Sequence, residues 1–215
     1  MYSSAVTSLA EPPDRRIRRS RAALRAAISG MVAGVGYDKI TVADVLRRAE
    51  VSRGTFYAHY ADKDALFVDA MEHLVDELVA DVRAVAALDT TQLTGAGVRV
   101  LFVHAQTHRD LYLAMLNGAA GGAAMRGYVA QLTAAFKAIV LSGVAAVGTT
   151  PRMPVDAIAR CWVGEQLALT SWWLEHDSDV DVDELTSMRM LLMTQGSTWA
   201  YGLEPGQLTY GPPPA

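Results

Sequence analysis

Residues 41–63 read Thr-Val-Ala-Asp-Val-Leu-Arg-Arg-Ala-Glu-Val-Ser-Arg-Gly-Thr-Phe-Tyr-Ala-His-Tyr-Ala-Asp-Lys, and this stretch decides the architecture. It has the pattern of two short helices joined by a tight turn. Thr41 followed three residues later by Asp44 is a capping signal, because the pair satisfies backbone N–H groups left open at a helix start. Val42, Val45, Leu46 and Ala49 then recur at helical spacing and give one buried stripe. Ser52 is a second N-cap, followed by Arg53, Gly54, Thr55, Phe56, Tyr57, His59 and Tyr60. A helix that enters the DNA major groove needs a capped N-terminus, whose dipole favours phosphate. It also needs polar side chains outside and an apolar anchor inside. The stretch supplies all three.

The run from Ile40 to Leu66 closely resembles the DNA-binding domain of the tetracycline-repressor (TetR) family of bacterial transcriptional regulators. The matching parts are Thr41-Val42, Ala49, Val51-Ser52-Arg53-Gly54-Thr55-Phe56-Tyr57 and His59-Tyr60, continued by Lys63 and Leu66-Phe67. The specific likeness spans Arg18 to Phe67. Glu50 departs from it, standing where the family usually has glycine; a positive φ there costs a non-glycine residue about 1–2 kcal/mol. The resemblance implies an all-α fold. A three-helix helix-turn-helix head is joined by a fourth helix to a helical ligand-binding and dimerisation body, about nine helices in all.

Charge is divided along the chain. Overall 19 basic and 23 acidic residues leave a net −4. Residues 1–63 hold eleven Lys/Arg against six Asp/Glu, so the head is cationic and the remainder strongly anionic. A cationic end on an anionic body is the footprint of a module that meets phosphate with one end.

Half the residues are apolar, enough for a sizeable core. A lone cysteine, Cys161, excludes an intrachain disulfide and suits a reducing cytoplasm. Met1–Asp14 lacks the continuous apolar core of a secretion signal. Residues 1–14, with Pro12-Pro13, and 204–215, with Gly206, Gly211 and three prolines near the end, read as disordered arm and tail. Residues 15–61 form the head and 62–203 the body. Gly127–Pro151 is weakly charged but interrupted by Lys137, which fits a buried helix better than a membrane span.

Helical periodicity runs nearly throughout, with no plausible strand pairing. The first helix spans about Arg15–Val35, with Ile17, Leu24, Ile28, Met31 and Val35 on one face and Gly36 as its stop. The fourth starts at the Asp62 cap and carries a stripe from Leu66 to Val85. Later helices span about Gln92–Thr107, Arg109–Leu116, Ala123–Val147, Val155–Glu175 and Val182–Trp199, with a glycine-rich corner at Gly118–Gly122.

Arg53, Thr55 and Tyr57 are the expected groove contacts, and Tyr57 can reach a phosphate or a thymine methyl. Thr41, His59, Tyr60 and Lys63 are assigned to phosphate, where they position without specifying. Ser52 and Gly54 complete the DNA-binding set. Tyr60 has a second reading as a core residue whose hydroxyl reaches the backbone, and Phe56 belongs to the head's core.

The resemblance further implies a homodimer on a palindromic duplex operator, bound through helices 8 and 9. Those helices offer Ile158, Trp162, Leu169, Trp172 and Trp173, then Leu185, Met188, Leu191, Leu192, Gln195 and Trp199, an aromatic and Met enrichment that suits an interface, though any single one could equally be core. It also implies a pocket for a small-molecule effector among helices 4 to 8. Candidate lining residues are Phe102, His104, His108, Tyr112, Met115, Asn117, Met125, Tyr128, Trp162, Gln166 and Thr170, any of which could equally be core. His104 and His108 at i, i+4 could hold a metal, but no third ligand follows at helical spacing. No cofactor, metal or membrane is expected. Two rivals stay open: a ligand-independent DNA binder, and an all-helical enzyme or carrier. The second lacks Gly-x-Ser-x-Gly, His-Glu-x-x-His, Walker and dinucleotide signatures.

Overall fold

Capping and glycine punctuation set the element order in a computed structural model that describes residues 13–88, 95–176 and 179–200. Among these residues there are nine α-helices and no strand. They are α1 (Pro13–Val35), α2 (Val42–Ala49), α3 (Arg53–Tyr57), α4 (Lys63–Leu88), α5 (Ala96–Thr107), α6 (Arg109–Leu116), α7 (Ala123–Val147), α8 (Val155–Glu175) and α9 (Val182–Ala200). Short 3-10 turns fill Tyr37–Lys39 and Ala119–Gly122. Helix α1 takes in Pro13 and Asp14, the last two residues of the expected arm. The rest of that arm, the tail and the expected start at Gln92 lie outside the described residues.

Gly36, at φ 80°, stops α1 as its position suggests. The buried face of α1 is Leu24, Ala27, Ile28 and Val32, while Ile17 and Val35 are exposed. The expected stripe was therefore right in its centre and wrong at its ends, where α1 outruns its partners α2 and α4. One continuous apolar core links head to body along α4, whose Leu66, Phe67, Met71, Leu74, Leu78 and Val82 are all buried.

Helices α4 and α7 lie side by side in the same direction, with Gln131 Nε2 donating to Asp76 at 3.3 Å. The first half of α7 packs through Ala124, Tyr128, Leu132 and Ala135. Its second half does not meet the expectation of a buried helix: Leu141 is exposed, and none of residues 136–146 is fully buried. By length and composition Ala119–Ala146 could cross a membrane, and only 17% of its most apolar window is buried. Helix α9 breaks helical geometry at Gly196, at φ 66° and ψ −157°.

Candidate nucleic-acid interface and effector cavity

The turn is built from two side-chain caps and one left-handed residue. Thr41 Oγ1 accepts from the Asp44 N–H at 3.2 Å, and the Asp44 carboxylate accepts from the Thr41 N–H at 3.2 Å, a complete capping box. Hydrogen bonds from Thr41 and Arg47 hold the Asp44 carboxyl below its ordinary range. Helix α2 ends on Glu50 at φ 54°, ψ 37°, so the glycine-favouring conformation is kept without glycine. Ser52 Oγ then accepts from the Thr55 N–H at 3.1 Å and pairs with the Thr55 hydroxyl at 2.8 Å.

On this frame Phe56 is fully buried and braces Tyr57 edge-on, with ring centroids 5.2 Å apart. Tyr57 is thereby held outward, 48% exposed, with the exposed Arg53 guanidinium 5.6 Å from its ring centre. Gly54, Thr55, Ala58 and His59 line a shallow groove with Arg16, Ile17 and Ser20 of α1. Arg16 and Ser20 were missed as site residues. The basic run at the start of α1 entered only the charge count, and nothing local shows that α1 returns beside α3.

Two expected phosphate contacts turn inward. Tyr60 is 5% exposed, so of its two readings the core one holds, although its hydroxyl donates to the Asp69 side chain rather than to backbone. Arg21 Nε donates to the same phenol oxygen at 3.3 Å. Lys63 Nζ donates to the Tyr37 carbonyl at 3.0 Å and lies 4.1 Å from that ring's centre. That contact staples the Tyr37 turn to α4, and Tyr37 reinforces it by donating to Asp64.

Residues 24–70 match the family model described as bacterial regulatory proteins, tetR family. The head is a TetR-family DNA-binding domain. Its sequence is similar to that of YxbF, an uncharacterized HTH-type transcriptional regulator of Bacillus subtilis (strain 168), at 36% identity over 67 residues. That match covers 31% of this chain and 18% of YxbF. The fold of the whole resembles a Syntrophomonas wolfei protein assigned to the TetR-family regulators, with TM-score 0.70 and 15% identity over 88% of this chain and 99% of that one. It also resembles Thermus thermophilus FadR, a TetR-family repressor in complex with lauroyl-CoA, with TM-score 0.66 and 19% identity over 91% and 98%. At such identities the likeness is one of fold.

Behind the TetR-type head, the body holds a cavity of about 90 Å³ between α4, the start of α5, α7, α8 and α9. Of the eleven candidate pocket residues, Trp162 and Gln166 line it. Phe102, Tyr112, Met115, Tyr128 and Thr170 are sealed in the core instead, and Asn117 is exposed at the end of α6. Met125 borders an outer groove with Lys137 and Asp156.

His104 and His108 edge an open groove with Asp81 and Arg99, their rings 4.7 Å apart. His104 Nδ1 is 2.9 Å from the Tyr112 hydroxyl. Burial, then the neighbouring His108, lowers His104 to about 4. Among the described residues no three His, Cys, Asp or Glu side chains group as metal ligands.

The cavity also has a wall that helical spacing did not reveal. Arg189 is 2% exposed, with Nη1 3.0 Å from Glu165 Oε1. The pair is in electrostatic range but out of line: neither Arg189 Nε nor Nη1, nor Gln166 Oε1, has a hydrogen-bond partner. Leaving such groups unmade costs roughly 1–3 kcal/mol each.

Of the interface candidates, Trp173 and Leu185 belong to the subunit's own core: Trp173 Nε1 donates to the Val180 carbonyl at 2.8 Å, and Leu185 is fully buried. Trp172 is 41% exposed, and Gln195 is exposed. Ile158, Trp162, Leu169, Met188, Leu191 and Leu192 are half-buried, and the Trp199 side chain lies outside the described residues.

Proposed function

We propose that the protein is a transcriptional regulator that binds a palindromic operator as a homodimer and is released by a small molecule held in its body. The observation that carries this reading is the outward Arg53–Tyr57 edge of α3, braced by buried Phe56 and bordered by the basic start of α1. One such edge reads few bases. Two copies about a two-fold axis read half-sites about 34–36 Å apart, or a multiple of that. Exposed Trp172 on α8, with half-buried Leu169, Met188 and Leu191, supports pairing through α8 and α9.

Helix α4 connects the two ends of the mechanism. Asp69 anchors it to the head, and Val82, Val85 and Ala86 line the cavity about 20 Å further along the same rod. An occupant that prefers a shifted α4 moves the head away from groove spacing. Near-complete switching needs about 5.5 kcal/mol of preference between the two states. Sedimentation of the protein with an operator duplex tests the assembly: two chains, or a multiple of two, per duplex are expected, and a single chain per duplex contradicts it.

A further inference from the structure

The cavity has an apolar body and one charged wall. Val82, Val98, Phe136, Ile139, Trp162 and Met193 make the apolar side. Arg189 and Gln166, 2% and 1% exposed, line the same cavity, with Arg189 Nε and Nη1 and Gln166 Oε1 lacking hydrogen-bond partners. The N-terminal end of twelve-residue α5 enters the same wall at Gly95, Ala96 and Gly97. Gly95, at φ 75°, allows that approach, since a Cβ there would lie 3.1 Å from Met190 Cγ. A helix N-terminus and a guanidinium on one wall both favour negative charge. The planar donor fork of arginine matches a carboxylate in particular.

We infer that this cavity binds a small carboxylic acid as its anion, with the carboxylate on Arg189 and the hydrocarbon against Phe136, Ile139 and Trp162. The inference rests on reading the cavity as the effector site, and adds the chemistry of its occupant. Glu165, with its side chain 28% exposed, sits beside Arg189 without a hydrogen bond to it, so it competes with the ligand and does not saturate the guanidinium. A volume of about 90 Å³ suits a compact aromatic or branched-chain acid. A coenzyme A thioester is far larger, and its acyl carbonyl offers no charge to the arginine.

Calorimetric titration of the full-length protein with phenylacetate and isovalerate, beside their methyl esters and phenylacetyl-CoA, tests this. At least one acid is expected to bind, and its ester at least roughly tenfold more weakly, the usual worth of a hydrogen bond to a charged group. Arg189→Met should erase the acid–ester difference. Glu165→Gln should tighten the acid and leave the ester unchanged, a result independent of whether Arg189→Met folds. Equal binding of acid and ester, tighter binding of the thioester, no binding of either acid, or an acid affinity unmoved by Glu165→Gln would overturn the inference. Operator release is measured separately. Acid binding without release overturns the effector role and leaves the acid site standing, whereas release by the ester at concentrations no higher than the acid needs does the reverse.

Discussion

The phenol of Tyr60, at the foot of the recognition turn, donates to the carboxylate of Asp69 on α4 at 2.5 Å. Arg21 and Arg25 of α1 bind the same carboxylate, Arg25 at 3.2 Å. One acid therefore ties three elements of the head together. Burial alone would raise Asp69, but the hydrogen bonds from Tyr60, Arg25 and Arg21 outweigh it and hold the carboxyl below its ordinary range. Asp69→Ala removes the acceptor shared by the Tyr60 phenol, Arg25 and Arg21, and should cost about 2–4 kcal/mol in urea unfolding. Tyr60→Phe should cost about 1 kcal/mol. Because the folded pKa is depressed, the Asp69 contribution is present above about pH 4 and is lost as pH falls through the folded value. An Asp69→Asn variant should show a shallower acid limb than the parent.

Glu50 pays for a conformation that glycine adopts freely. At φ 54° the strain is about 1–2 kcal/mol, partly offset by the extra chain entropy that a glycine must lose on folding. Glu50→Gly should raise stability by about 0.5–1 kcal/mol in the same urea assay, with unchanged DNA affinity. A loss of stability would show that the Glu50 side chain contributes more than its backbone costs.

His104 stays neutral in the folded protein down to about pH 4, whereas an unfolded histidine takes up its proton near 6.5. Between those values the unfolded chain binds more protons, so stability falls as pH drops through that window. The expected loss is about 1–2 kcal/mol once solvent screening is allowed for. His104→Gln, which can keep a hydrogen bond to Tyr112, should flatten stability between pH 6.5 and 4; an unchanged slope would assign the acid sensitivity elsewhere.

At the DNA surface, Tyr57→Ala should weaken specific binding by about 1–3 kcal/mol, the worth of a direct contact. Arg16→Ala should lower the salt slope of binding by about 1 and leave sequence preference intact. Lys63→Ala should leave that slope unchanged and reduce head stability, since its ammonium already serves the Tyr37 carbonyl. Anisotropy titrations across a salt series separate the three outcomes.

The head was legible in the sequence because its decisive contacts are local. The Thr41–Asp44 and Ser52–Thr55 caps each span three residues, and Phe56 is the one wholly apolar large side chain between Ser52 and Tyr57. The sequence could not tell Tyr60 and Lys63 from exposed phosphate contacts, because their partners Asp69 and Tyr37 are reached only through tertiary packing. In the body, apolar helical spacing looks the same whether a side chain seals the core or borders a cavity. Phe102, Tyr112, Met115 and Tyr128 were thus indistinguishable from Trp162. Arg189 reads as an ordinary surface charge on α9 until the packing of α5 and α8 against it is known.

Selecting duplexes from a random pool with the purified full-length protein, at moderate ionic strength, tests the central claim most directly. The recovered sequences should share an inverted repeat whose half-site centres lie about 34–36 Å apart, or a multiple of that, and Tyr57→Ala should lose the enrichment. A pool that shows no inverted repeat, or one recovered equally well by Tyr57→Ala, would contradict it.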